Sequence, residues 1–204
     1  MVHASELMAY EDKLRAEGCV YICGVDEVGR GPLAGPVTCA AVIMPLDALI
    51  EGVNDSKKVS KKKRERLAEE IKKNAVAYSV VSYDNAAIDD MNILNATKAC
   101  MRDAIMSLSV TPDVVLIDAV KLDLPVRTVS VVHGDALSYS IAAASIIAKV
   151  HRDAFMAEMD EKFPGYGFSR NAGYGTAEHI AALKSLGATP IHRRTFIKNF
   201  VEAE

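Results

Sequence analysis

The sequence has no CxxC pair, no excess of positive charge and no long apolar run, and each absence narrows what the chain can be. Its four cysteines, Cys19, Cys23, Cys39 and Cys100, lack the spacing of a structural zinc site. Three of them lie in apolar runs, so they read as reduced, buried small hydrophobes of a cytosolic protein. No stretch approaches the ~18 consecutive apolar residues of a membrane span. The richest, Ile141–Val150, is too short and contains Ser145 and Lys149. No basic segment followed by an apolar one opens the chain, so no signal peptide is expected and the cytoplasm is the expected location. With a net charge of −3 and a pI of about 6.0, composition carries no nucleic-acid footprint; any basic surface has to be local. Repeats, low-complexity tracts and linkers are also missing. So are two phosphate-binding patterns, GxxxxGK(S/T) and GxGxxG.

What is there suits one domain, or one with a small appendage: 204 residues, half of them apolar, enough for a sizeable core. Periodicity predicts an amphipathic helix over 5–17 and strands over Val20–Asp26, Pro36–Met44 and Ala75–Tyr83. Ser60–Lys73 has helical character, with Leu67 and Ile71 four apart. A helix over Asn92–Ser109 is stopped by Thr111-Pro112, and strands follow at Val114–Asp118 and Val126–Val132. A long helix then runs from about Ala136 to Lys162, and a shorter one, Ala177–Leu186, is closed by Gly187. The expected order is β-β-β-α-β-β-α, a meander and then alternating strands and helices. That order implies an α/β domain, a mixed sheet covered by helices, with a helical C-terminal appendage.

Val20–Val25 is apolar at nearly every position, as in a central strand buried on both faces, and it runs into Asp26-Glu27. Val114–Ile117 runs into Asp118, and Val131-Val132-His133-Gly134 into Asp135. Each acid has a plain alternative. Asp135 could cap the long helix, Asp118 could begin a turn, and Asp26 or Glu27 could pair with Arg30. Recurrence favours convergence, because ligands collect outside the carboxyl ends of strands in open α/β sheets. Converging carboxylates repel unless cations intervene, and an all-oxygen site suits Mg²⁺ or Mn²⁺. Neighbours in a strand face opposite ways, so Asp26 and Glu27 can share a site only if the strand bends there. Gly24, Gly29 and Gly31 make a bend plausible. The stretch Gly29-Arg30-Gly31-Pro32 is either a tight turn or a backbone that must approach a ligand with no Cβ in the way. Arg30 beside it could reach a phosphate.

Together these residues form "GVDEVGRGPLAGPV" (24–37), which resembles the first motif of ribonuclease HII, the type 2 ribonuclease H family. The resemblance continues in order through "NDSKKVSKKKRERL" (54–67), "IDDMNILNAT" (88–97), "VLIDAVKL" (115–122), "GDALSYSIAAASIIAKVHRD" (134–153), "FPGYGFSRNAGYGT" (163–176) and "TPIHRRTF" (189–196). It implies an RNase H-like fold with Asp26, Glu27, Asp118 and Asp135 as catalytic metal ligands for two Mg²⁺ or Mn²⁺ ions. It further implies that Gly29, Arg30, Gly31 and Tyr174 read the ribose 2′-hydroxyl at an RNA–DNA junction. On this reading residues 1–162 form the catalytic domain and 163–204 a helical extension packed on it. The expected substrates are RNA/DNA hybrids and duplex DNA containing ribonucleotides, cut by a monomer with no membrane contact. Two positions depart from the family pattern. Relatives often have a lysine where this chain has Ala172, and a glycine where it has Ala119.

Seven basic residues fall between Lys57 and Arg66. Such a run is usually a solvated helix face. Here Ser60 looks like an N-cap, so Lys61–Lys63 would oppose the helix dipole at ~0.3–1 kcal/mol each, a cost that bound phosphate would offset. Lys57 and Lys58 are the candidate phosphate contacts, and His192-Arg193-Arg194 are expected to extend the stripe. His133 reads as a supporting residue, the small residues Ala142–Ala144, Ser145 and Ala148 as a close-packing helix face, and Phe163, Tyr166 and Phe168 as C-terminal core. The tail 196–204 has Phe196 and Phe200 but no clear clamp-binding motif, so a sliding-clamp partner stays open. Two rival functions fit the sequence less well than the nuclease. A phosphatase or phosphotransferase lacks its DxDx(T/V) nucleophile pattern here. A non-catalytic nucleic-acid-binding module built on Lys57–Arg66 fits poorly with clustered acids.

Overall fold

The computed structural model describes residues 4–201, so residues 1–3 and 202–204, at the outer ends of the two expected domains, lie outside the described residues. Five strands form one sheet in the order β3-β2-β1-β4-β5. They are β1 (Ile22–Val28), β2 (Val37–Ile43), β3 (Ala77–Tyr83), β4 (Val114–Asp118) and β5 (Arg127–Val131). The first three pair antiparallel; β4 joins β1 in parallel and β5 joins β4 in parallel. The sheet is mixed as expected, and β1 is its centre.

The helices are α1 (Ala9–Ala16), α2 (Lys61–Asn74), α3 (Asn85–Met91), α4 (Ile93–Met106), α5 (Tyr139–Lys162), α6 (Phe168–Asn171), α7 (Ala177–Leu186) and α8 (Arg194–Ile197). The sheet lies between two helical layers because β1 and β2 are apolar on both faces. On one face Ala40 and Val42 pack against α5 and the Leu67, Ala68 and Ile71 stripe of α2. On the other, Cys23, Val25, Cys39 and Ala41 pack against Cys100, Met101 and Ala104 of α4. The small-residue face of α5 does what its composition predicts. A Cβ added at Gly24 would lie 2.0 Å from the Ser140 carbonyl carbon, so helix backbone rests directly on β1.

Several expectations need correction. α2 sits between β2 and β3, so the first three strands are not joined as a simple meander. The helix over Asn92–Ser109 begins at Ile93 and ends at Met106. A separate helix, α3, precedes it, capped by Asp84 and broken from α4 by Asn92, whose φ is 67°. The N-terminal helix is split into a 3₁₀ turn, Ala4–Leu7, and α1. Ser60 holds the N-cap position of α2, but its side chain makes no capping hydrogen bond.

The C-terminal elements clamp the loop that follows β1. The Leu33 N–H donates to Gly173 O at 2.8 Å, the Gly35 N–H to Ile191 O at 2.9 Å and the Arg193 N–H to Leu33 O at 2.9 Å. Phe168 and Tyr166 stack 5.3 Å apart in a core with Met156, Met159 and Ala182, as their sequence context suggested.

Candidate active site

Parallel pairing of β1 with β4 sets the site. Val25 is in register with Ile117, so Asp26 and Asp118 are the next residues along on adjacent strands and project to the same face. Asp135 arrives from a 3₁₀ turn, Gly134–Ala136, just beyond β5. The Gly134 N–H donates to Asp118 Oδ1 at 2.8 Å and fixes that turn beside β4. Oxygens of Asp26, Asp118 and Asp135 all lie within 4.8 Å of one another. The alternative of Asp135 as the α5 cap fails. Ser138 takes that position, its side chain accepting from the Ile141 N–H.

The three acids are crowded and short of compensating charge. Burial raises the Asp26 pKa well above the usual carboxylate range, and the Glu27 and Asp118 carboxylates add to the rise. Burial also raises Asp118; the Gly134 N–H works against it and the Asp135 carboxylate with it. The nearest cation is the Lys57 ammonium, 3.2 Å from Asp135 Oδ2, on a side chain that is 80% exposed. Partial burial works against the charge on Lys57, but the Asp135 carboxylate raises its pKa on balance.

Glu27 is placed differently from what the sequence suggested. β1 does not end or bend at Asp26; it stays in register with β2 through Val28↔Thr38. Alternation therefore sends Glu27 to the α4 side of the sheet, outside the three-acid cluster. Its Oε1 lies 3.4 Å from Arg30 Nη1, and its Oε2 is buried without a hydrogen-bond partner. Burial raises its pKa, Arg30 opposes the rise and Asp118 contributes to it. The three converging carboxylates are a donor set that fits a hard divalent cation, and Glu27, on the other face, is near enough to raise Asp26 and keeps a buried Oε2 without a partner.

The Gly29–Pro36 loop is built around two arginines. Arg152 Nε donates to Pro36 O at 2.8 Å, Nη1 to Ala172 O at 2.8 Å and Nη2 to Ala34 O at 3.1 Å. Arg193 Nε donates to Gly35 O at 3.0 Å, Nη1 to Arg30 O at 2.9 Å and Nη2 to Gly29 O. Both side chains are fully buried, and neither makes a salt bridge among the described residues. Burial lowers Arg152 to about 10 and Arg193 to about 9. Gly29 has a φ of 94°, and a Cβ there would stand 2.2 Å from Arg152 Nε, so only glycine fits over the guanidinium. A Cβ on Gly31 would be 3.4 Å from the Tyr174 ring, which is 45% exposed. Gly31 and Tyr174 thus form one surface although 143 positions separate them in the numbering.

The expected basic stripe is only partly a surface. Lys57 turns to Asp135, and the Lys58 ammonium lies 3.7 Å from Asp55. The Arg64 guanidinium folds back onto Ser56 O and Val59 O, with Asp153 3.7 Å away. His192 and Arg193 do not extend the stripe at all, because both are buried. Sequence reasoning missed Arg152 entirely; its one signal is a lone arginine within a helix otherwise reserved for close packing. The two departures from the family pattern share a conformation, since Ala119 and Ala172 have φ of 47° and 50°. A glycine is the residue that region favours.

Among the described residues no helix is long and apolar enough to cross a membrane. A family model described as ribonuclease HII matches residues 23–199. A ribonuclease HII of Ruminiclostridium cellulolyticum is 51% identical over 203 residues, which is 99% of this chain and 80% of that protein. The ribonuclease H2 structure from Pyrococcus horikoshii superposes with a TM-score of 0.75 at 26% identity, covering 86% of this chain and 93% of that one. The ribonuclease HII of Archaeoglobus fulgidus, solved in complex with PCNA, gives 0.71 at 27% identity, covering 90% of this chain and 98% of its own. The RNase H-like sheet read from the motifs is the sheet observed.

Proposed function

We propose, from the premise that this chain belongs to the ribonuclease HII family and is an endoribonuclease acting on RNA/DNA hybrids, that Asp26, Asp118, Asp135 and Glu27 hold its divalent metal ions. The convergence of three carboxylates from β1, β4 and the turn after β5 carries this reading. Two Mg²⁺ or Mn²⁺ ions there would supply a water of lowered pKa and neutralise charge on the scissile phosphate and its leaving oxygen. The protein's own part is to bring these carboxylates together; in the metal-free state burial and crowding favour a proton on Asp26 and Asp118, and an entering cation would displace it. Lys57 offsets the Asp135 charge meanwhile and, with Lys58, contacts backbone phosphate once Asp135 is engaged elsewhere.

Substrate choice rests on the ribose 2′-hydroxyl, the group that separates RNA from DNA. Arg193 engages the carbonyls of Gly29 and Arg30, and the N–H groups of Gly29, Arg30 and Gly31 are assigned to the ribose. Tyr174 beside Gly31 packs against the sugar. The enzyme then cuts on the 5′ side of ribonucleotides embedded in duplex DNA as well as within hybrids, leaving 3′-hydroxyl and 5′-phosphate ends, a step in ribonucleotide excision. Residues 163–204 act as an extension of the same catalytic domain, since Arg193 and Ile191 hold the loop after β1. A cytoplasmic monomer completes the reading. The Archaeoglobus fulgidus relative was solved with PCNA, but no clamp contact is assigned to this chain.

The test is cleavage of a labelled DNA duplex carrying one ribonucleotide, in Mg²⁺, Mn²⁺ or EDTA, beside an all-DNA control. A metal-dependent cut 5′ of the ribonucleotide is expected. Asp26→Asn should abolish it while hybrid binding persists, and Tyr174→Ala should weaken junction cutting without unfolding the chain. Full activity of Asp26→Asn would overturn the metal assignment.

A further inference from the structure

Two buried histidines have no part in the chemistry above. His179 lies in the first turn of α7 and His192 just before α8. Their rings sit 5.2 Å apart, enclosed by Tyr166 and Phe168. Their hydrogen bonds determine where each proton is. His179 Nδ1 is 2.8 Å from Tyr174 O, and a carbonyl only accepts, so Nδ1 carries the hydrogen. Neutral His179 then accepts at Nε2, which is 3.0 Å from His192 Nε2, so His192 donates from Nε2. That leaves His192 Nδ1 as an acceptor, and the Thr189 N–H donates to it at 2.8 Å. With both rings neutral, every donor has an acceptor from the Thr189 N–H through to the Tyr174 carbonyl.

We propose that the His179–His192 pair is a positioning device that holds Tyr174 against Gly31, and that it works only while both rings are uncharged. The proposal rests on the reading of Tyr174 as a ribose contact. One added proton breaks the chain wherever it lands. On His192 it sets an Nδ1–H against the Thr189 N–H and leaves only the Thr189 hydroxyl, 2.8 Å away, to accept it; on His179 it sets an Nε2–H against the His192 Nε2–H. The surroundings keep both rings neutral. Burial lowers the pKa of His179, and burial with the neighbouring His179 lowers His192 to about 4. The titratable groups against the rings are each other and Tyr166, whose hydroxyl is engaged with Gly187 O. Asn85 holds the His192 carbonyl, and the adjacent Arg193 is committed to the Gly29, Arg30 and Gly35 carbonyls. Since folding depresses these pKa values, the neutral arrangement is complete above the ordinary histidine range. Its contribution to stability declines as pH falls below about 6.5, and the arrangement itself breaks only near the folded values, about 4 for His192.

Ring ¹⁵N chemical shifts of the wild-type protein test the proton positions directly. At pH 7 His179 should be the neutral Nδ1–H tautomer and His192 the neutral Nε2–H tautomer; a charged ring or the opposite tautomer in either overturns the proposal. A kinetic cycle tests the link to Tyr174, using the duplex with one ribonucleotide in Mg²⁺. His192→Phe should lower kcat/KM about fivefold, the weight of one net hydrogen bond, and His192→Gln, whose amide N–H can replace the ring donor, should recover part of it. In a Tyr174→Ala background neither substitution should cost more. Equal losses in the two backgrounds overturn the positioning role and leave the Tyr174 reading standing. An unchanged kcat/KM for Tyr174→Ala itself removes that reading and the proposal together.

Discussion

Replacing Gly24 by alanine should cost both stability and activity, through a contact that no side chain can relieve. The new Cβ would lie 2.0 Å from Ser140 C, 2.1 Å from Ser140 O and 2.4 Å from Ile141 N, all backbone atoms of α5. Ordinary contact begins near 3.4 Å, so the start of α5 has to retreat by about 1.4 Å, or β1 must buckle. Overpacking typically costs ~1–3 kcal/mol when side chains can adjust, and here the displaced atoms belong to a helix of 24 residues; a loss of about 3 kcal/mol is expected. The same movement carries the Ser138 cap and the adjoining Asp135 turn away from Asp26, and a misplacement of ~1 Å can slow a reaction ~100-fold. Urea unfolding in EDTA gives the first quantity, and hybrid cleavage at saturating Mg²⁺, corrected for the folded fraction, gives the second. A variant with the wild-type urea midpoint and near wild-type cleavage would refute the seating of α5 directly on β1.

Two further outcomes follow from the cluster and its neighbours. Asp26 has a raised folded pKa, so in metal-free protein its contribution to stability is complete below about pH 4 and is lost as pH rises through the folded value. Asp26→Asn should therefore unfold at a higher urea concentration than wild type in EDTA at pH 8, with the advantage shrinking towards pH 4. Added Mg²⁺ should raise the wild-type Tm and leave that of the variant nearly unchanged; a variant less stable than wild type in EDTA at pH 8 would contradict the crowding described. Ala119→Gly should stabilise, because a left-handed φ of 47° strains alanine by ~1–2 kcal/mol and the greater freedom of unfolded glycine offsets ~0.4–1 kcal/mol of the relief. The net gain of about 0.5–1 kcal/mol should raise the Tm by ~2–4 °C per kcal/mol, and a fall in Tm would show that the strain is taken up elsewhere.

The parts of this molecule most legible in the sequence are those decided by local pattern. β4 and α7 begin and end where their apolar runs and caps placed them, and the acid-terminated strands brought Asp26, Asp118 and Asp135 together. What stayed hidden was decided by distant partners. Arg152 and Arg193 look like surface cations until the carbonyls of residues 29–36 are folded around them. Glu27 was expected to share a face with Asp26, but pairing with β2 keeps the strand regular through Val28, and alternation prevails over the nearby glycines. α3 buries only Ile88, too little to register as a periodic face beside α4, and the left-handed Asn92 that divides the two is a single residue.

The loop around Gly29–Pro36 has a consequence for the order in which a growing chain acquires its abilities. Asp26, Asp118 and Asp135 belong to segments made before α6 exists, and α5 can seat on the sheet as soon as residue 162 is available. Arg193, whose guanidinium ties down the carbonyls of Gly29, Arg30 and Gly35, is synthesised after all of these. During synthesis the three-acid cluster can therefore form before the loop after β1 is tied down, so on the proposed reading the means of cutting precedes the means of choosing what to cut.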